Sequence, residues 1–296
     1  MKAILKITFV FLLISLNSCE DVVDVDLPEN EPRIILDAII RIDPTESFSF
    51  LRLKASITSS FFESNETAEL SSLQIRNDDT GEFVLFGPEP GIPGSYQPVP
   101  AVGSPVTDDN LVGTSFFSGG GVLVLSFNYE GQLYLATTEY VPTVPIQNVV
   151  QGGGGLFDPD DTEIIVTFTD TADREDFYIF DFDFGEFLGT EDTFYPGQMF
   201  EFSYFYDRDL EVGDTLNISI LGADEEFYNY MNLLIDQSEA GDNGPFQVPV
   251  TTVRGNFINV TDIDNIDVFD NVSNSNNFAL GYFAVVQEYK ESIIIE

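Results

Sequence analysis

The 296-residue sequence contains no histidine, no tryptophan and a single cysteine, Cys19. Without histidine there is no Ser-His-Asp triad, no Cys-His dyad and no His-ligated zinc. With one cysteine there is no internal disulfide. Basic residues are scarce as well: 11 Lys and Arg stand against 51 Asp and Glu, a formal net charge of −40. Lys2 and Lys6 lie in the leader, so the chain beyond it carries 11 − 2 = 9 basic residues and a charge near 9 − 51 = −42. Such a chain repels phosphate backbones, which excludes nucleic acid as a partner. The acid excess itself has two readings: solubility in a saline environment, or a surface that meets a basic partner. Long hydrophobic runs are missing too. The longest, Ile7 to Leu16, falls short of the roughly 20 apolar residues a membrane-spanning helix needs.

What is present suffices for folded cores, since 43% of residues are hydrophobic. Lys2 and Lys6 form a positive n-region ahead of that short apolar stretch, the layout of an export signal. Leu16-Asn17-Ser18-Cys19 then resembles a bacterial lipobox. The resemblance implies a signal peptide over 1–18, cleavage before Cys19 and covalent lipid, palmitate included, on that cysteine. Several acyl chains at ~0.8 kcal/mol per buried CH₂ hold a protein stably on a membrane. An acidic tether follows over 19–32. Its run from Glu20 to Asp26 resembles the surface-export signal of Bacteroidota lipoproteins.

Beyond the tether the pattern is β. Ile34, Leu36, Ala38 and Ile40 alternate until Asp43-Pro44 breaks the run. Phe48 to Ile57, Leu73 to Arg76, Glu82 to Phe86, and a hairpin of Val122–Asn128 with Leu133–Thr138 read as strands. The Pro/Gly-rich stretch from Gly87 to Pro105 reads as a long loop. This spacing predicts an immunoglobulin-like antiparallel β-sandwich over 33–143. Val141-Pro142-Thr143-Val144-Pro145 marks the boundary to a second β-rich domain over 144–296. That domain carries two aromatic strands. Tyr178, Phe180, Phe182 and Phe184 are expected on one face of the first, and Phe200, Phe202, Tyr204 and Tyr206 on one face of the second. They read as core, with an aromatic platform for sugar or peptide as the alternative. One amphipathic helix is expected near 224–238. Asp224 caps it, and Phe227, Tyr230, Met231, Leu234 and Ile235 form its apolar stripe.

Chemistry-bearing candidates are few. Asp158, Asp160, Asp161 and Glu163 could supply hard oxygen ligands to Ca²⁺, as could Asp262, Asp264, Asp267 and Asp270, although neither set matches an EF-hand loop. Thr171 and Thr215, in Asp170-Thr171-Ala172 and Asp214-Thr215-Leu216, resemble acceptor sites for O-glycosylation of exported Bacteroidota proteins. A carboxylate-pair hydrolase needs only two acids, so composition does not forbid one. No catalytic residue is identified. Arg254 is read as a planar clamp for nearby carboxylates or for a ligand.

Five features in order resemble a known family. They are the lipobox with its acidic follower, Glu31-Pro32-Arg33-Ile34-Ile35-Leu36-Asp37-Ala38, the helix around Tyr228-Asn229-Tyr230, Val253-Arg254-Gly255-Asn256, and Leu280-Gly281-Tyr282-Phe283. Together they resemble Bacteroidota outer-membrane lipoproteins that carry an uncharacterised domain and are often encoded beside TonB-dependent receptors. The resemblance implies a non-enzymatic accessory protein, lipid-anchored on the outer membrane and facing outward. Its expected partner is a β-barrel membrane protein such as a TonB-dependent transporter, and its expected task is to assist ligand capture or uptake. A stand-alone surface binder or adhesin is the alternative, and a carboxylate-dependent hydrolase the third.

Overall fold

A computed structural model of the chain describes residues 32–59, 66–154, 161–206, 208–239, 252–263 and 277–296. Strand β1 (Ile34–Ile42) shows how the sequence builds the fold. Its even-numbered residues, from Ile34 to Ile42, are all buried, and the odd ones are not. Asp43 ends it by accepting hydrogen bonds from Thr45, whose backbone N–H lies 2.8 Å from Asp43 Oδ1.

From β1 a sheet runs antiparallel through β3 (Leu53–Ile57), β7 (Ser95–Val99), β6 (Phe83–Pro88), β5 (Ser71–Asn77), β9 (Leu123–Tyr129) and β10 (Gln132–Thr138) to β18 (Ile258–Asn259). A two-residue strand β4 (Glu66–Thr67) flanks β3. Inward side chains of these strands meet in one core: Leu36 and Ile40, Leu53, Val84, Ile75, Leu125 and Tyr134 all belong to it. A single core fed by every strand from β1 to β10 on the path requires the sheet to roll around it. The short helix α1 (Ser115–Ser118) adds Phe116 and Phe117 to the same core. The Gly87–Pro105 stretch is not all loop, because β7 lies within it and bridges β3 to β6. Phe48 to Ile57 is likewise two strands: β2 (Phe48–Phe50) leaves the main sheet and pairs with β8 (Leu111–Gly113).

The other edge of β1 takes the long C-terminal strand β19 (Leu280–Ile294). This pair is parallel, with Ile35 opposite Leu280 and Ile42 opposite Gln287, so the sheet is mixed. Beyond Gln287 the same strand pairs antiparallel with β17 (Thr215–Ala223), which leads to β14 (Phe177–Asp181) and β15 (Phe187–Glu191). The segment at the expected boundary, β11 (Tyr140–Val141), also docks in parallel on β19.

A second core lies between β14, β17 and the end of β19 on one side and a three-stranded sheet on the other. That sheet is β12 (Ile146–Gln151), β13 (Thr162–Thr169) and β16 (Met199–Tyr206). The aromatic strands supply this core. Phe182 stacks on Tyr204 with centroids 3.9 Å apart, and Phe180 meets Phe202 edge-on at 5.0 Å. The opposite face of β14, β17 and β19 is covered by helix α2 (Glu225–Glu239), through Phe227 and Met231. β14 and β17 are thus buried on both faces, which explains their near-continuous apolar sequence. Asp224 caps α2 as expected, its Oδ1 accepting from the Phe227 N–H at 2.7 Å. The stripe is buried at Phe227 and Met231, whereas Leu234 is exposed.

The protein is therefore mainly β with one amphipathic helix. The first core takes residues up to Ala136 and then Phe257, Ala279, Phe283 and Val285, while the second begins at Val144. The C-terminal segment divides between the two cores, and Pro32–Glu296 forms one compact unit.

Candidate functional site

Four of the segments that carry the family resemblance lie far apart in sequence and meet at one place. Arg33 follows the tether, at the head of β1. Phe278 precedes β19. Arg254 sits in the turn before β18. The Arg33 guanidinium carbon lies 4.0 Å from the Phe278 ring centroid, and that of Arg254 lies 3.5 Å from it. Each cation–π contact of this kind is worth about 0.5–2 kcal/mol. In a chain with seven arginines this spends two of them on a single ring.

Beside the stack three backbones cross at closest approach. A Cβ built on Gly255 would lie 1.6 Å from the Gly281 carbonyl oxygen, and one on Gly281 would lie 2.0 Å from that of Leu36. Gly281 also has φ +92°, a conformation that L side chains rarely adopt. Asn256 comes next. Its Nδ2 donates to the carbonyls of Thr137 (3.2 Å) and Phe283 (2.8 Å), and its Oδ1 accepts from the Phe283 N–H at 2.9 Å. One amide thereby ties β10 to β19 across the gap that the rolled sheet leaves. Tyr282 closes the assembly on its other face, against Phe227 and Tyr230 of α2 at 5.3 and 4.7 Å.

A second constellation gathers acids. Asp170, Asp176 and Asp192 are all buried. The Tyr178 hydroxyl contacts Asp170 Oδ1 and lies 3.0 Å from Asp176 Oδ2. A phenol has one proton, so it can donate to only one of them at a time. Asp170 Oδ2 accepts from the Gly197 N–H at 2.6 Å, and Arg174 pairs with Asp176. Asp192 Oδ2 has no hydrogen-bond partner. Burial pushes the Asp192 carboxyl above its ordinary range, and the charges of Asp170 and Asp176 push it the same way. Burial, reinforced by the bond to Asp170, likewise raises the Tyr178 hydroxyl, and burial pushes Tyr195 up to about 12.

The linkage has a definite sign. A carboxyl whose folded-state pKa is raised holds its proton more tightly when folded. Its contribution is present at low pH and is lost as pH climbs from the ordinary value of 3.8 through the raised one. Asp192→Asn removes a buried charge while keeping the shape of the side chain. It is expected to stabilise the protein at pH 7, with the gain fading toward pH 3. Urea unfolding at both pH values checks this, and a variant no more stable than wild type at pH 7 would contradict it.

The residues singled out from the sequence are placed as follows. Cys19, Asp158 and Asp160 lie outside the described residues, as do Asp264, Asp267 and Asp270. Glu163 is engaged on both oxygens, by Ser203 Oγ at 2.6 Å and the Gly154 N–H at 3.3 Å. Among the described residues no group of three or more Asp or Glu is arranged to hold a metal ion. Thr171 is half-buried and accepts from Arg174, whereas Thr215 is exposed at the start of β17. Phe184 does not share the buried face of Tyr178, Phe180 and Phe182. The strand ends at Asp181, and Phe184 sits in the following turn at φ +54°, half-exposed beneath Arg208. Alternation holds only as long as the strand does. Phe278 and the Asp170–Asp176–Asp192 group carry no local pattern and became visible only in three dimensions.

These features define a class: a strongly acidic, mainly β protein whose rolled mixed sheet is locked at a glycine crossing and a single asparagine. The sequence matches, over residues 20–292, the family described as Domain of unknown function (DUF4249), and the chain belongs to that family. No curated protein and no solved structure matches it.

Proposed function

We propose that the protein is a lipid-anchored accessory protein of the bacterial outer membrane, displayed at the cell surface. It docks on a β-barrel membrane protein such as a TonB-dependent transporter and assists ligand capture or uptake. The observation that carries this reading is Cys19. It is the sole cysteine, it stands at the +1 position of a lipobox, and the family match begins at the next residue. The acidic run from Glu20 supports display, because it resembles the surface-export signal.

Cys19→Ala is expected to abolish labelling by a palmitate analogue and to move the protein from the membrane to the soluble fraction. Labelling that survives the substitution would overturn the anchor. Protease added to intact cells should cut the wild-type protein without lysis. Co-purification in mild detergent, read by mass spectrometry, should recover a stoichiometric outer-membrane barrel. The lipoprotein alone at every detergent strength would overturn the accessory role and favour the stand-alone binder.

A further inference from the structure

We infer that the outer face of the β2–β8 ribbon is a docking surface, and that its occupant is a protein segment with apolar side chains flanked at both ends by Lys or Arg. The ribbon is anchored from beneath. Val112 of β8 and Leu51, just past β2, are buried in the first core. Thr114 fastens the turn ahead of β2, its N–H bonding the Ser47 carbonyl at 3.0 Å and its Oγ1 the Glu46 carbonyl at 2.8 Å. On this support Phe48 and Phe50 share the opposite face, 50% and 51% exposed. Phe48 stands across from Gly113, which has no side chain to cover it, and Phe50 across from Leu111. Among the described residues β2 pairs on one side only, with β8. An apolar strand with a free edge is a template for strand addition.

Charge selects the occupant. Strand direction places the turn with Asp43 and Glu46 at the Phe48 end of the ribbon, and the turn with Asp108 and Asp109 at the Phe50 end. Among the described residues no ion pair reaches any of these four carboxylates. The nearby Arg52 is already engaged by Glu89, through Nε at 2.7 Å and a terminal nitrogen at 2.6 Å, with its guanidinium carbon 5.3 Å from the Phe50 ring centroid. Two aromatic rings bracketed by two acidic pairs repel a second copy of this chain and repel anionic lipid. They fit an extended segment that is apolar in the middle and basic at each end.

The test uses the full-length protein in detergent and two synthetic strand peptides. One has an alternating Phe/Val centre with two Lys at each end, and the other has Glu in place of Lys. Fluorescence anisotropy should show binding of the Lys-flanked peptide alone. Phe48→Ser/Phe50→Ser should weaken it at least tenfold, with thermal unfolding unchanged. Asn and Gln at the four bracketing acids should weaken it at low salt, whereas Gln at the distant Glu225 and Glu226 should not. Equal binding by the Phe variant, or an equal loss from the distant pair, would overturn the proposal. So would concentration-dependent dimerisation, or vesicle flotation, abolished by the same Phe substitutions. None of these measurements involves the barrel, so failed co-purification would remove the accessory role without touching this surface.

Discussion

Gly255→Ala and Gly281→Ala are each expected to leave the chain unable to reach its native fold. The added methyl would stand 1.6 Å from a backbone oxygen in the first case and 2.0 Å in the second. Both obstacles are main chain, on β19 and β1, so neither can swing aside as a flexible side chain would. Relief requires moving β1, β19 or the Arg254 turn, and that displaces Leu36 and Phe283 from the first core. Such a cost exceeds the roughly 4–5 kcal/mol that marks an exceptional substitution, and it consumes most of a typical 5–15 kcal/mol stability. Gly255 isolates the steric effect, because Gly281 adds a left-handed φ. Gly103→Ala and Gly120→Ala are the controls. Both positions have positive φ, near +80° and +88°, with nothing within 4 Å of the added methyl. They should cost about 1–2 kcal/mol. Far-UV circular dichroism and urea titration of the four variants separate crowding from backbone preference. A folded Gly255→Ala within 1 kcal/mol of wild type would refute the three-layer crossing.

The second large effect belongs to Asn256. Asn256→Ala removes three hydrogen bonds, each worth about 1 kcal/mol net, and strips partners from the Phe283 N–H and carbonyl on a buried strand. A loss of about 3–5 kcal/mol is expected. Asn256→Asp distinguishes a clasp from mere space filling. It has nearly the same shape and keeps the acceptor for the Phe283 N–H, but it sets a carboxylate against two carbonyls it can no longer donate to. It should destabilise at least as much as alanine at pH 7 and should recover partly as the carboxylate protonates. Amide hydrogen exchange should rise first along β10 and the start of β19, the two strands the side chain ties. An aspartate variant as stable as wild type at pH 7 would show that the geometry of the amide is not what closes the sheet.

Both substitutions bear on residues that stood out in the sequence before their task was visible. Gly255, Asn256 and Gly281 belong to short segments whose order suggested a family, yet the segments lie on strands and turns more than twenty residues apart. Arg254 reads from the sequence as a clamp for carboxylates or for a ligand, and the fold also lays it on the Phe278 ring that Arg33 contacts. The docking ribbon was hidden for a related reason. Phe48 to Ile57 reads as one strand by alternation, and only the departure of β2 toward β8 turns Phe48 and Phe50 away from the core.

Local interactions are legible because they act within a few residues. Side-chain alternation set β1 and the aromatic strands, the Asp224 cap and apolar spacing set α2, and the composition alone excluded histidine chemistry. The resemblance of Leu16–Cys19 to a lipobox is local in the same sense, being carried by four adjacent residues. Three-dimensional packing decided the rest: the parallel union of β1 with a strand some 240 residues later, the crossing at Gly255 and Gly281, the burial of two aspartates at one phenol, and the end of the first aromatic strand before Phe184. Alternation states which face of a strand avoids water. Which strand it meets there depends on shape and hydrogen-bond fit between distant segments, and those become fixed only when the sheet rolls and the core fills.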